Sequence, residues 1–185
     1  MTFDDLNELF KFDDYKVREN KNFPNINLNE ALLIAIHHSG DSGFITKKLH
    51  LKQKLSVLES FYVKSLTDVI SKLPRPKIKV ISRNEIEDER IIKTYQDIVN
   101  ECLISKTPLI NLSFWNFTEN INWPLDRTIG WKVTLAENTR AGVTHNHYYP
   151  VDKLYTDELE VIFPPNSKFS VSEYSENIIH LLELE

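Results

Sequence analysis

Two carboxylates near the end of the chain have a spacing that could do chemistry. The segment Asp157-Glu158-Leu159-Glu160 stands directly before an apolar run, 161–163. In an extended chain, residues i and i+2 point to the same side, so the side chains of Glu158 and Glu160 are expected to face one cleft. Such a pair suits acid–base work and needs a cation nearby. The alternative is a solvated acidic strand start.

An arginine and a serine are the other candidates for chemistry. Arg83 follows the alternating segment 77–82 at the predicted end of a strand, where a guanidinium can bind phosphate or carboxylate through two parallel hydrogen bonds. The alternative is a surface ion pair with Glu85 or Glu87. Ser113 lies among aromatic residues in the strand-like segment 111–117, where simple packing is the alternative to a chemical role.

The elements that must position these residues fall into two halves. Apolar residues recur at intervals of three and four up to about residue 73, which predicts helices over 28–36 and 55–70 with a break at 38–43. Pro74 and Pro76 close this half. Beyond them, helical spacing returns over 85–104, a proline turn occupies 164–167, and alternation predicts strands at 77–82, 109–114, 130–137, 159–163, 168–171 and 178–184. Helices followed by strands indicate an α+β domain with mixed or antiparallel sheets.

The whole chain sets broad limits on function. Its 185 residues suit one domain, 1–185, with 1–76 mainly helical and 77–185 strand-rich. A net charge of −5 argues against nucleic acid as a partner. One cysteine, Cys102, excludes an intramolecular disulfide. No run approaches the roughly 18 apolar residues of a membrane span, and the acidic start is unlike a signal peptide, so we expect a soluble protein that does not use a membrane.

The arginine, the serine and the Glu-X-Glu together resemble those of the mono-ADP-ribosyltransferase family of the Arg-Ser-Glu-X-Glu class, of bacterial toxin and phage type. The resemblance covers residues 32 to 184 and includes the N-terminal segment 34–49. Its most specific part is Glu158-Leu-Glu-Val-Ile-Phe-Pro-Pro-Asn-Ser-Lys-Phe-Ser-Val171, where Glu-X-Glu, apolar residues, a proline turn and Lys-Phe-X-Val follow in order. The resemblance implies N-terminal helices followed by a mixed or antiparallel two-sheet core.

The same resemblance implies NAD as co-substrate and gives five residues a role in binding it. Glu160 would stabilise the positive charge that builds on the ribose and would hydrogen-bond its 2′-hydroxyl, while Ser113 would help to fix that glutamate. Arg83, with Arg127, would hold the pyrophosphate. Trp123 stands where the family carries an aromatic residue that faces the nicotinamide.

The acceptor is implied by further residues. Glu158 would orient the nucleophile and take its proton, and a glutamate here goes with arginine acceptors on a target protein in the family. Tyr148 and Tyr149 lie in the region that contacts the protein substrate in the family. A protein of this type would act in a target or host cell as a delivered effector, a toxin or a phage enzyme.

Two departures from the family pattern bear on phosphate binding. Asn84 follows the arginine where many members carry glycine, and Ser113-Phe-Trp115 replaces Ser-Thr-Ser. The approach of the backbone to the phosphate is therefore expected to differ.

Other interpretations keep or abandon this fold. An NAD glycohydrolase or a catalytically inactive module would keep it. A structural interaction domain would use Trp115, Trp123 and Trp131 only as core residues. His145-Asn-His147 could form half of a metal site, but no third ligand is marked by spacing, so we expect no metal.

The adjacent pair His37-His38 is the remaining feature of the helical half. Neighbouring residues cannot share one helical face, which favours capping or exposure for this pair.

Overall fold

The helices lie mainly in the first half of the chain. The computed structural model describes residues 1–15, 17, 25–120, 128–144 and 159–185. The helices are two short 3-10 helices, Phe3–Glu8 and Phe12–Asp14, followed by α1 (Leu28–His38), α2 (Gly43–His50), α3 (Val57–Lys72) and α4 (Glu89–Ser105). Three of them match segments that periodicity predicts, and α2 does not. None of the helices in these ranges is long and apolar enough to cross a membrane.

Side chains fix where the helices begin. Asn27 accepts a hydrogen bond from the backbone N–H of Glu30, and Ser56 accepts one from that of Glu59. The carboxylate of each glutamate in turn accepts a hydrogen bond from the backbone N–H of the capping residue. These bonds satisfy N–H groups that have no partner inside the helix. Helix α3 ends before Pro74, as the sequence predicts.

The strands form one mixed sheet. They are β1 (Val80–Glu85), β2 (Leu109–Ile110), β3 (Trp115–Thr118), β4 (Ile129–Thr134), β5 (Gly142–Val143), β6 (Glu160–Phe163), β7 (Lys168–Ser175) and β8 (Ile178–Leu184), in the order β2-β7-β8-β4-β1-β3-β6-β5. Strands β4 and β8 are parallel, and the other pairs are antiparallel. The α+β prediction is confirmed. The prediction of two sheets is wrong for the described residues, because β1 and β3 are hydrogen-bonded.

That junction is very short. Strand β1 pairs with β4 along its whole length but with β3 only where Ser82 faces Thr118. A continued antiparallel register would set Arg83 opposite Phe117 and Glu85 opposite Trp115, and the ladder does not extend to those pairs. The sheet therefore opens between β1 and β3 just beyond their single pair.

Two cores pack against the strands. Successive side chains of a strand point to opposite faces, and in β6 Ile162 belongs to one core while Val161 and Phe163 belong to the other. The helical core combines α1, α2 and α3 with Phe114 and Ile162. The strand core includes Val99 of α4. Glu160, two residues before Ile162, is on the strand face that the helical half covers.

Gly142 permits close contact between β5 and α3. A Cβ added there would lie 2.8 Å from the Ile70 carbonyl oxygen and 3.0 Å from the Leu73 Cβ. We expect Gly142→Ala to lower the free energy of unfolding by about 1–3 kcal/mol in urea denaturation, because backbone atoms cannot yield easily. The matched control is Gly43→Ala, where an added Cβ meets nothing within 4 Å. Equal midpoints for the two variants would contradict this account of β5 packing.

Candidate active site

A cavity of about 170 Å³ occupies the opening between β1 and β3. Strand β1 contributes Arg83 and Glu85 to its wall, and β3 contributes Trp115 and Phe117. Its other described lining residues come from α2, α4, β4 and the segment before β3: Thr46, His50, Tyr95, Ser113, Phe114 and Trp131. Two sequence candidates, Arg83 and Ser113, thus meet at one cavity.

Arg83 has partners on both sides of the opening. Its Nε donates to Glu85 Oε1 at 2.7 Å, its Nη2 contacts the same oxygen, and its Nη1 donates to the Asn116 carbonyl at 3.3 Å. The ion pair with Glu85, one of the alternatives for this arginine, is therefore present. Arg83 lies inside β1 rather than at the end of a strand, because the extended backbone continues to Glu85 and α4 begins only at Glu89.

Ser113 is buried, and its hydroxyl is hydrogen-bonded to His50. Its Oγ lies 2.8 Å from His50 Nε2. Burial, and then the charge of Arg83, lowers the pKa of His50. The predicted strand across Ser113 is wrong: the residue lies in a bend between β2 and β3. Asn111 stabilises this bend, since its Nδ2 donates to the carbonyls of Ser113 at 2.8 Å and Pro164 at 3.0 Å.

Glu160 opens β6 with its backbone held on both sides. It faces Thr118 of β3 in the ladder, and its carbonyl accepts the Thr144 N–H at 3.0 Å. The side chain is buried, and its Oε2 contacts His38 Nδ1. A buried carboxylate with a fixed donor has a defined orientation, which a solvated strand start would lack.

The backbone before Glu160 departs from the extended geometry that the spacing argument requires. Leu159 has a φ of 27°, and the strand starts only after it. A non-glycine residue rarely adopts positive φ, because Cβ crowds the backbone. The inference that Glu158 and Glu160 share one side therefore loses its premise. Glu158 itself lies outside the described residues.

Burial and strand contacts contradict the prediction of capping or exposure for His37-His38. His37 Nε2 donates to Asn116 Oδ1 at 2.9 Å, and the side chain of His38 is only 10% exposed. Burial, and then the charge of His37, lowers the pKa of His38 to about 3, so this imidazole is neutral at pH 7. Neutral His38 donates Nδ1–H to the Glu160 carboxylate.

A continuous series of contacts joins the cavity to Glu160. Asn116 accepts from Arg83 through its carbonyl and from His37 through its side chain, and His38 follows His37 at the end of α1. The helical half thus supplies one histidine to each of three strand-side groups. Motifs in the sequence do not predict a role for these histidines, although His37 and His38 lie in the segment 34–49 that resembles the family. The alternation of β6 is the signal that could have found His38, since it turns Glu160 toward α1.

The remaining predicted site residues are not located by this structure. Trp123 and Arg127 lie outside the described ranges, as do Tyr148 and Tyr149. His145 and His147 also lie outside them. Within the ranges that are described, no three histidine, cysteine, aspartate or glutamate side chains cluster as metal ligands would.

Solved bacterial ADP-ribosyltransferases share this architecture. The C3 exoenzyme of Clostridium limosum aligns with a TM-score of 0.64 and 15% identity over 100% of this chain and 96% of that one. HopU1, an ADP-ribosyltransferase of Pseudomonas syringae, aligns with a TM-score of 0.61 and 15% identity over 100% of this chain and 88% of that one. The chain has the ADP-ribosyltransferase fold.

A structure solved with its nucleotide has the same fold. C3stau2 from S. aureus, solved with NAD, aligns with a TM-score of 0.62 and 19% identity over 84% of this chain and 86% of that one. No family model matches the sequence, and no curated protein matches it. In this chain the ADP-ribosyltransferase fold is therefore evident from the backbone rather than from overall sequence similarity.

The buried His38 makes the stability of this ADP-ribosyltransferase fold depend on pH. Its pKa is about 3 in the folded state against an ordinary 6.5, so below pH 6.5 the unfolded chain binds the proton first. The free energy of unfolding should fall as pH drops from 6.5 toward 3, by up to about 1.4 kcal/mol per pH unit from this group, with no loss above 6.5. Urea denaturation at a series of pH values measures the slope.

A variant isolates the contribution of His38. In His38→Asn the amide Nδ2 replaces the Nδ1 donor and does not titrate, so the slope below pH 6.5 should become shallower. Equal slopes for the two proteins would show that His38 is not the group responsible.

Proposed function

We propose that the chain is a mono-ADP-ribosyltransferase that cleaves NAD between nicotinamide and ribose and transfers ADP-ribose to a target protein. One observation carries the proposal. A buried glutamate, Glu160, is held by the neutral donor His38. The neighbouring His37 hydrogen-bonds the Asn116 side chain, and the carbonyl of Asn116 accepts from Arg83 at an aromatic cavity. The ADP-ribosyltransferase fold gives this arrangement its chemical context.

Glu160 would act on the reacting sugar. When the bond between ribose C1′ and the nicotinamide nitrogen breaks, its electron pair leaves with nicotinamide and positive charge remains on the ribose. A carboxylate in a buried site stabilises that charge more strongly than it would in water. The contact between His38 and Glu160 Oε2 keeps the carboxylate oriented, so little reorganisation is needed during the reaction.

Arg83 would bind the pyrophosphate. A guanidinium forms paired, charge-assisted hydrogen bonds with phosphate oxygens, which would fix the dinucleotide for attack. Its side chain is 37% exposed, so a phosphate can approach it from solvent. Glu85 would then compete with the phosphate for the guanidinium. The buried Ser113 and its hydrogen-bond partner His50 on α2, an exposed residue, lie at the same cavity and would support the bound nucleotide.

The acceptor is proposed from the resemblance alone. An arginine of a target protein is the favoured nucleophile, with Glu158 taking its proton and Tyr148 and Tyr149 contacting the target. The proposal also includes nicotinamide contact by Trp123, pyrophosphate contact by Arg127, and the setting of a delivered effector, toxin or phage enzyme. Water could replace the target arginine as nucleophile, which would make the chain an NAD glycohydrolase.

The replacement Glu160→Gln tests the transfer reaction. The amide keeps the size of the side chain but removes the negative charge, so we expect labelling of lysate proteins by labelled NAD to fall by at least about a hundredfold. The control Glu101→Gln removes a charge from an exposed position on α4 and should label as the native chain does.

The same incubation separates the alternatives. Label with the native chain and its loss in Glu160→Gln would support transfer. Release of nicotinamide without labelled protein would indicate a glycohydrolase or a missing acceptor. Neither label nor nicotinamide would overturn the enzymatic proposal.

The replacement Arg83→Lys tests the phosphate clamp. Lysine keeps the charge but cannot form the paired bonds, so the dissociation constant for NAD should rise by about tenfold in calorimetric titration. Arg90→Lys, at an arginine whose side chain is 95% exposed, is the control. Unchanged affinity in Arg83→Lys would remove the arginine from the proposed site.

A further inference from the structure

Glu85 is a carboxylate held in an aromatic cavity, and in the proposed reaction it is so far only a competitor of the phosphate for Arg83. Its Oε2 accepts the indole N–H of Trp131 at 2.8 Å, and its Oε1 accepts from Arg83 Nε at 2.7 Å. The side chain is only 12% exposed. Both carboxylate oxygens are therefore fixed by neighbours, and their position at the cavity wall is defined.

The cavity has the size and walls of a site for one aromatic ring. Its volume is about 170 Å³, and a cavity of about 150 Å³ accommodates benzene, whereas sites for larger ligands span about 300–1,000 Å³. The Trp115 ring centroid lies 5.7 Å from that of Trp131 and 6.1 Å from that of Phe117. Aromatic side chains such as these attract cations as well as other aromatic rings.

The charged side chains at the cavity are complementary to the charges of NAD. Oxidised nicotinamide is a pyridinium cation, and the pyrophosphate is an anion. The protein offers a carboxylate, Glu85, and a guanidinium, Arg83, which neutralise one another within the cavity. If a phosphate takes Arg83, the negative charge of Glu85 loses its partner, and a cationic ring beside it would restore the balance.

We propose that Glu85 is a specificity-determining residue that recognises the positive charge of the oxidised nicotinamide ring. The ion pair of Arg83 with Glu85 is exchanged on binding for a phosphate on Arg83 and a pyridinium against Glu85. The proposal rests on the proposed function, since it needs NAD at this cavity. It predicts a difference in affinity between NAD and NADH, because reduced NADH has the same pyrophosphate but an uncharged ring.

The test compares the dissociation constants of NAD and NADH for the native chain, Glu85→Gln and the control Glu87→Gln. Calorimetry and the fluorescence of NADH give the constants, and chromatography checks that NAD stays intact. We expect the native chain to prefer NAD by about tenfold. Glu85→Gln should lose that preference through weaker binding of NAD, while Glu87→Gln should keep it.

Each contrary outcome has a distinct meaning. An equal loss of NAD and NADH affinity in Glu85→Gln would show that Glu85 only orients Arg83, and tighter binding of both would show that it only competes for Arg83. Either result overturns the inference and leaves the proposed transferase in place. A native chain that binds neither nucleotide and releases no nicotinamide would overturn both.

A measurement on the native chain does not depend on how the variant folds. The cation 1-methylnicotinamide and neutral nicotinamide differ mainly in charge, and each can be tested as a competitor of NAD. The proposal expects the cation to compete more strongly. Equal competition, or stronger competition by the neutral ring, would overturn it.

Discussion

The candidate site depends on a strand junction that consists of one residue pair. Ser82 and Thr118 hold β1 and β3 together, and the ladder goes no further. A longer ladder would bring the backbones within about 5 Å of each other and leave no room for a ligand. If β1 and β3 did not pair at all, the two walls of the cavity would no longer be held at a fixed distance. Arg83 bridges the opening to the Asn116 carbonyl, so a side chain replaces part of the missing ladder.

The helical half contributes polar contacts as well as apolar packing. Phe114 and Ile162 join it to the sheet through the helical core, and His38 and His50 join it through Glu160 and Ser113. Buried polar groups that find partners add little net stability, but leaving one of them unpaired is costly. These contacts therefore select one docking of the helices on the sheet. The geometry of the candidate site and the docking of the helices are therefore set by the same hydrogen bonds.

Much of this could be predicted from sequence, for identifiable reasons. Helical periodicity predicts α1, α3 and α4, and the proline turn after Phe163 separates β6 from β7. The Arg-Ser-Glu pattern predicts Arg83, Ser113 and Glu160 as site residues, and Arg83 and Ser113 line one cavity. Local pattern does not determine which strands pair, so the sequence does not predict the single sheet. Nor does local pattern predict the positive φ of Leu159 or the bend at Ser113, where Asn111 donates to the distant Pro164 carbonyl. The contacts of the three histidines form only when the helices dock on the sheet.

The alternation along β6 has a consequence for the fidelity of folding. A slip of one residue would turn Glu160 into the strand core and bring Val161 beneath α1, because neighbouring side chains point to opposite faces. Such a short strand has few backbone bonds to resist the slip. Its register is instead secured by two contacts on the same face: Ile162 packs in the helical core, and Glu160 contacts the imidazole of His38. The carboxylate proposed for chemistry thereby also stabilises the native register of β6. A misregistered chain would lack both its contact with His38 and the candidate site.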